Sequence, residues 1–324
     1  MKYIKWGVLG CSADVMPVVR LLNEMEGSQV VAVMDDDAAV AKSCGAELGV
    51  SSYSGVQDLI DDSEVNAVYI ATVPSTHATY AILSMRSGKP VLVETPLADT
   101  YWDCVRMNRV SEETGVPCFV NFYYRYLPYF DAIKKYLASG AFGEIVSVEL
   151  HSVGVASETA SVGSELWKAC AHQLDLLQHL FGVIVEAWGV LDEKRERSAL
   201  SSCFRFETGI PGSALWVSCQ HDGAPSPENA QKNEAGAEGC NGCWVQITGR
   251  EKQMRFSLSG EYPPEISPAD DVFSAAEIAP MSDSHSCQPL LREVLSDLQG
   301  FNVCGCTSVS ATAVYWTLER LKGE

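Results

Sequence analysis

The chain has 324 residues, 47% of them hydrophobic and 20% charged, and a net charge of −19. That length allows one large or two ordinary domains with a sizeable core, and the composition is globular rather than disordered. The acidic balance argues against nucleic acid or an anionic membrane as partner, because phosphate binding needs clustered Lys and Arg.

The first residues pass straight into a strand-like pattern, with no basic, apolar and small-residue leader. No apolar run approaches the ~18 residues of a membrane span, so the expected compartment is the cytoplasm. The twelve cysteines do not overturn it. Cys104, Cys118, Cys170, Cys203 and Cys219 stand singly among apolar residues, where a free thiol behaves as a small hydrophobe. Cys240/Cys243 and Cys304/Cys306 have the donor type of a zinc site, but nothing in the sequence brings the pairs together. No metal is expected.

In chain order, Ile4–Leu9 predicts a first strand. It is followed by the turn Gly10-Cys11-Ser12-Ala13-Asp14-Val15 and a helix with Pro17 in its first turn, where proline is tolerated. A second strand over 30–34 ends in Asp35-Asp36-Asp37. This βαβ outline is that of a dinucleotide site: a tight turn at a helix N-terminus for the pyrophosphate, then an acid for the ribose hydroxyls. Gly10 stands at the first glycine of the fingerprint, while Ser12 and Val15 replace the second and third. An ordinary strand–helix turn fits the same residues. Asp35 as the ribose acceptor favours NAD over NADP, since a carboxylate repels a 2′-phosphate, and Asp36 and Asp37 add to that. The other reading is that these acids cap the next helix, Ala38–Leu48.

The pattern then repeats. A strand over 67–72 closes on Thr72-Val73-Pro74-Ser75-Thr76-His77 and leads into a helix; a short buried strand over 91–93 ends in Glu94-Thr95-Pro96. A helix over 101–114 and a strand over 118–121 follow. Strands alternating with helices on short loops predict a doubly wound parallel sheet. Its halves would meet near Gly10 and Thr72, which puts Glu94 and Thr95 by the nicotinamide end of a bound cofactor. Ligands bind outside the carboxyl ends of such strands, so the active site is expected at the joint after the first domain. Cofactor contacts are therefore expected from Gly10, Cys11, Ser12, Ala13, Asp35, Thr72, Val73, Pro74, His77, Glu94 and Thr95. The expected domains are 1–121, binding NAD, and 122–324, binding substrate and dimerising, with the terminal helix 308–322 packing back on the first.

Beyond the joint, Tyr123, Tyr124 and Arg125 line a substrate pocket or, for one tyrosine, serve the core. Lys168 and His172 are four apart and share one face of a helix over about 164–180. That spacing also fits a solvent-facing lysine and a satisfied core histidine. Segments 144–151, 185–190, 201–206, 210–218, 244–248 and 253–258 predict a largely antiparallel sheet, covered on one face by helices 128–138 and 164–180. The other face, assigned Trp216 and Phe204, would be broadly apolar, which predicts a homo-oligomer, dimer or tetramer. Residues 221–242 read as a long exposed loop.

Several segments resemble the glucose–fructose oxidoreductase and inositol dehydrogenase family, Gfo/Idh/MocA. They are Trp6-Gly7-Val8-Leu9-Gly10-Cys11, Ile70-Ala71-Thr72-Val73-Pro74-Ser75-Thr76-His77-Ala78, Gly88-Lys89-Pro90-Val91-Leu92-Val93-Glu94-Thr95-Pro96-Leu97-Ala98, and Tyr123-Tyr124-Arg125-Tyr126-Leu127-Pro128. The helix His172-Gln173-Leu174-Asp175-Leu176-Leu177 is similar to the family's active-site helix. The resemblance implies a Rossmann domain, then an α/β domain on an open mixed sheet used to dimerise. It also implies hydride transfer between NAD or NADP and a sugar-like compound. In the family's usual pattern a lysine follows the glutamate of the third segment, and an aspartate lies four residues before the helix histidine. Here those positions hold Thr95 and Lys168. If the family geometry holds, Thr95 faces Lys168 and His172, and the expectation is that Lys168 supplies the missing ammonium with His172 as its acid–base partner. Two other readings remain open on the same fold: a regulatory NAD-binding protein without catalysis, and a glycosidase that uses NAD transiently.

Overall fold

The computed structural model describes residues 3–156, 161–194, 197–219, 242–260, 263–268 and 287–323. The chain divides into two units, Met1–Tyr123 with Asp283–Tyr315 and Tyr124–Ser282 with Trp316–Glu324.

The first unit is built on six strands: β1 (Ile4–Leu9), β2 (Ser28–Met34), β3 (Ser51–Tyr53), β4 (Ala67–Ile70), β5 (Val91–Val93) and β6 (Cys118–Val120). Their order is β3-β2-β1-β4-β5-β6, and every pairing is parallel. β4 and β5 are buried at every residue, as expected where helices cover both faces of a parallel sheet. Helices α1 (Met16–Glu24), α2 (Ala38–Leu48), α3 (Val56–Asp61), α4 (Pro74–Arg86) and α5 (Tyr101–Thr114) make the crossovers. Local chemistry fixes their ends. Asp37 caps α2 by accepting the Ala39 and Val40 amides, and Thr100 caps α5 by accepting that of Asp103. Strand order reverses between β1 and β4, so the residues after these two strands flank the switch point.

Two helices from the end of the chain join this unit. They are α8 (Gln288–Leu298) and, as far as Tyr315, α9 (Ser308–Lys322). The Tyr315 hydroxyl accepts the Leu97 amide, and Asn108 on α5 donates to Thr312 on α9. The strand expected over 67–72 stops at Ile70. α8, β3 and α3 were not foreseen: β3 is three polar-leaning residues, too short to carry a period.

The second unit holds a seven-stranded sheet in the order β13-β12-β11-β7-β10-β9-β8. Its strands are β7 (Ile145–Val155), β8 (Ile184–Glu193), β9 (Arg197–Phe206), β10 (Pro211–Cys219), β11 (Trp244–Gly249), β12 (Gln253–Ser257) and β13 (Glu265–Ser267). Only the β7–β10 pairing is parallel. α6 (Pro128–Ala138) precedes the sheet, and α7 (Val162–Phe181) packs on β7, β9 and β10.

The faces of this sheet correct one expectation. Trp216 and Phe204 are 0% and 2% exposed and belong to the helix-covered side, not the open one. Trp216 Nε1 donates to Gln173 Oε1 on α7 at 2.7 Å, and Gln173 Nε2 donates to Ser152 on β7 at 2.9 Å. The open side instead presents Trp188, Val190, Leu215 and Val217, with Trp188 59% and Val190 75% exposed. Both sides of these strands carry apolar residues, so alternation alone does not say which side α7 covers; the indole's hydrogen bond does.

Residues 220–241, most of the expected long loop together with Cys240, lie outside the described residues, as do 157–160. No described helix is long and apolar enough to cross a membrane.

Candidate functional site

Each unit contributes side chains that the sequence singles out. In the first, the chain leaves β1 at Gly10 with φ +99°. A Cβ there would lie 2.5 Å from the Ala71 carbonyl oxygen, so the turn runs against the backbone that follows β4. Only glycine fits such an approach. The turn is closed by the Val15 and Met16 amides, which donate to the Ser12 and Ala13 carbonyls. Ser12 and Ala13 themselves are exposed. α1 starts at Met16 without a side-chain cap; the Met16 amide is taken by the Ala13 carbonyl and Pro17 has no amide hydrogen.

Asp35 ends β2 and holds this turn. Its Oδ2 accepts the Cys11 amide at 3.0 Å, and its Oδ1 accepts the Asp37 amide at 3.0 Å. The three consecutive acids thus divide their work: Asp35 ties β1's turn to β2, and Asp37 caps α2. Asp36 is exposed.

Across the switch point, Thr72, Val73 and Pro74 lead into α4. Thr72 Oγ1 lies 2.6 Å from Thr76 Oγ1, and Val73 is exposed. His77, on the first turns of α4, is 1% exposed. Its ring nitrogens lie 2.8 Å from the Pro96 carbonyl oxygen and 2.9 Å from that of Thr72. The ring therefore ties together the segments that follow β4 and β5. Burial pushes its pKa down, and the two carbonyls pull the other way.

Glu94 at the end of β5 is held from three directions. The Tyr69 hydroxyl and Asn121 Nδ2 both donate to Oε1, and the Thr95 amide reaches Oε2 at 3.3 Å. Burial and then the Glu94 charge raise the Tyr69 pKa, which keeps it a phenol that donates. Thr95 is buried, and its peptide bond to Pro96 is cis. Tyr69 and Asn121 were not among the expected site residues. Both sit inside strand ends that read as core, and neither carries a motif signal.

In the second unit the expected residues gather around α7. The Tyr124 ring lies 5.5 Å from that of His172, tilted by 40°. His172 is part-exposed as a residue, yet its Nδ1 is shielded from solvent. Burial, and then the Lys168 ammonium, push the His172 pKa down to about 3, so the imidazole is neutral. Lys168 is exposed. The two stand four residues apart on α7 and so share one helix face.

Arg125 grips Asp175, a partner that sequence reading quoted but gave no role. Its Nε lies 2.8 and 3.1 Å from the two carboxylate oxygens, and its second nitrogen donates as well. The carboxylate is fully buried and Arg125 nearly so. Burial raises the Asp175 pKa and the guanidinium opposes that rise. The pair fixes Tyr124's neighbour to the helix that bears His172. One turn further on, Lys134 Nζ lies 3.1 Å from the His179 ring.

Cys306 Sγ donates to the Phe122 carbonyl and Cys243 Sγ to that of Val153. Among the described residues no group of three or more His, Cys, Asp or Glu side chains is placed to hold a metal ion.

Comparison with known proteins agrees with this layout. Residues 4–122 match the Gfo/Idh/MocA family, described as an oxidoreductase family with NAD-binding Rossmann fold. Inositol 2-dehydrogenase 2 of Saccharopolyspora erythraea is 38% identical over 150 residues, 45% of this chain and 44% of that protein. The chain thus spans about half the length of the curated relatives it matches. An oxidoreductase from Agrobacterium radiobacter, solved with NAD+, L-tartaric acid and magnesium, superposes with a TM-score of 0.80 at 16% identity, covering 100% of this chain and 98% of that one. The WlbA dehydrogenase of Bordetella pertussis, solved with NADH and UDP-GlcNAcA, gives 0.81 at 17%, covering 99% and 95%. These two share the fold. The first unit thus matches the NAD-binding Rossmann fold of the Gfo/Idh/MocA oxidoreductases, and the chain is similar to inositol dehydrogenases over about half of their length.

Proposed function

We propose that this protein is an NAD-dependent oxidoreductase that moves a hydride to or from a polyhydroxylated, sugar-like small molecule. The observation that carries the reading is the Gly10 turn clamped by Asp35. A glycine turn too close to Ala71 for any Cβ, leading into a helix, fits a diphosphate. An acid at the end of β2 fits ribose hydroxyls and disfavours a 2′-phosphate, hence NAD before NADP. Gly10, Cys11, Ser12 and Ala13 hold the diphosphate. Thr72, Val73, Pro74, Glu94 and Thr95 form the far end of the site, with His77 positioning Thr72 and Pro96. When bound, the nicotinamide supplies the carbon that exchanges hydride.

The proton is the work of the second unit. Neutral His172 accepts it from a substrate hydroxyl, and the Lys168 ammonium steadies the oxygen. Tyr123, Tyr124 and Arg125 shape the sugar-binding side. Thr95, where the family's usual lysine stands, is too weak an acid for proton transfer at neutral pH and serves to orient. The polyol class is supported by the inositol dehydrogenases among the relatives. A homo-oligomer through the open sheet face and a cytoplasmic location complete the proposal.

The test has two parts. Calorimetry should show saturable NAD binding that weakens strongly in Asp35→Ala. A panel of polyols and sugars should give turnover seen in nicotinamide absorbance, and Lys168→Ala and His172→Ala should each lower kcat by ~10²–10⁴. Unchanged rates in both variants would remove these residues from the mechanism. Binding of NAD without turnover on any compound would favour the second reading, a regulatory member of the fold, which the buried Thr95 supports.

A further inference from the structure

We infer that Tyr69 and Asn121 are positioning residues for the coenzyme. Together they turn Glu94 so that its Oε2 accepts a hydrogen bond from the nicotinamide riboside half of a bound dinucleotide. The inference rests on the NAD reading above and adds to it how that end of the coenzyme is held.

The three side chains meet because parallel strands end side by side. Tyr69 on β4 stands beside Leu92 on β5, and Leu92 beside Phe119 on β6. Glu94 and Asn121 come two residues later in their segments, so they share a sheet face with Tyr69. The pairing runs past the strand ends: the Glu94 amide donates to the Ile70 carbonyl and the Asn121 amide to that of Val93, both at 2.9 Å. Gly10 follows Leu9, which pairs with Ile70. The Gly10 turn and Glu94 are therefore two strand spacings apart, about 10 Å. That is about one nucleoside along the coenzyme, in the direction away from β2 and Asp35.

The hydrogen bonds show what the cluster is arranged to do. Tyr69 and Asn121 are buried, while Glu94 is part-exposed. The Tyr69 hydroxyl and Asn121 Nδ2 both donate to Oε1, the amide at 2.6 Å, and this fills that oxygen. Among the described residues Oε2 receives only the Thr95 amide, at 3.3 Å, and so keeps a place for another donor. The donors on that half of the coenzyme are the carboxamide NH2 and the ribose hydroxyls. Asn121 carries a cost for its part. Its Oδ1 is buried and has no hydrogen-bond partner among the described residues. Only the amide nitrogen can donate to a carboxylate, so Glu94 sets which way the amide points. An amide that merely tied strand ends together would satisfy both its atoms. This one leaves an acceptor orphaned while it holds Glu94, and such a broken local rule belongs to a functional site.

Calorimetry on the full-length protein with NAD, ADP-ribose and ADP tests this. ADP lacks the whole nicotinamide riboside, and ADP-ribose lacks only the nicotinamide. Tyr69→Phe keeps the ring and removes the hydroxyl; Asn121→Leu keeps the branching and removes the amide. Each should weaken NAD binding on the order of tenfold and leave ADP binding unchanged. Asp35→Ala, by contrast, should weaken both. ADP-ribose weakened together with NAD assigns the donor to the ribose hydroxyls, and ADP-ribose unchanged assigns it to the carboxamide. Unchanged NAD affinity in Tyr69→Phe, or equal losses for NAD and ADP, overturns the inference and leaves the NAD reading intact. Tyr69→Phe decides the matter even if Asn121→Leu fails to fold. An unaltered chain that binds neither NAD nor ADP overturns the NAD reading itself, and this inference with it.

Discussion

Two histidines on α7 are held neutral by their surroundings, and their titration should be visible in stability. His172 is depressed to about 3 by burial and Lys168, and His179 to about 4 by burial, Lys134 and Arg125, with Asp131 opposing. Unfolded, each titrates near 6.5. Between these values the unfolded chain binds protons that the folded one refuses. Their contribution is therefore complete above pH 6.5 and is lost as pH falls from 6.5 toward about 4 for His179 and about 3 for His172. Denaturant midpoints should drop between pH 7 and pH 5, and His179→Gln should shrink that drop; an undiminished drop contradicts the assignment. Asp175→Asn leaves the Arg125 charge buried without its counterion and should cost about 3–5 kcal/mol in denaturant melts. At this scale the sequence indicated Asp35, Lys168 and His172 through strand ends and helix spacing. It did not indicate Asp175, Tyr69 or Asn121, because a partner that acts by holding another residue has no spacing of its own.

Among elements, α7 does the most. It carries Lys168 and His172 toward one side and, through Gln173, anchors two strands of the second sheet. Gln173→Leu keeps the volume but strands Trp216 Nε1 without its acceptor. The expected loss is about 1–3 kcal/mol, read from thermal or denaturant unfolding, with Trp216→Phe in the same background recovering part of it. No loss in Gln173→Leu would mean that the indole finds another acceptor. The element boundaries that sequence placed well are those with chemical punctuation. α2 starts after Asp37 and stops at Gly49, and α5 starts after Thr100 and stops at Gly115. The three-residue strands β3 and β13 offer neither caps nor period, and they form because a neighbouring strand offers its edge.

At the scale of the whole molecule, the second unit leaves one sheet face with Trp188 and Val190 largely exposed, beside the Arg205–Glu186 ion pair. Exposed apolar residues grouped on one face call for a partner, and the proposed homo-oligomer supplies it. The double variant Trp188→Glu, Val190→Lys should sediment as a smaller species at micromolar concentration, with its circular dichroism unchanged. Identical sedimentation would place the interface elsewhere.

The sequence by itself determined the parallel first unit, the Gly10 turn with its acid, and the placing of Lys168 and His172 on one helix. These depend on contacts a few residues long: hydrophobic period, helix caps and strand-end chemistry. Only the tertiary structure decided which sheet face α7 covers and how Glu94 and Arg125 are held. Those outcomes depend on which surfaces become buried together, and a buried donor or charge finds its partner in space rather than along the chain.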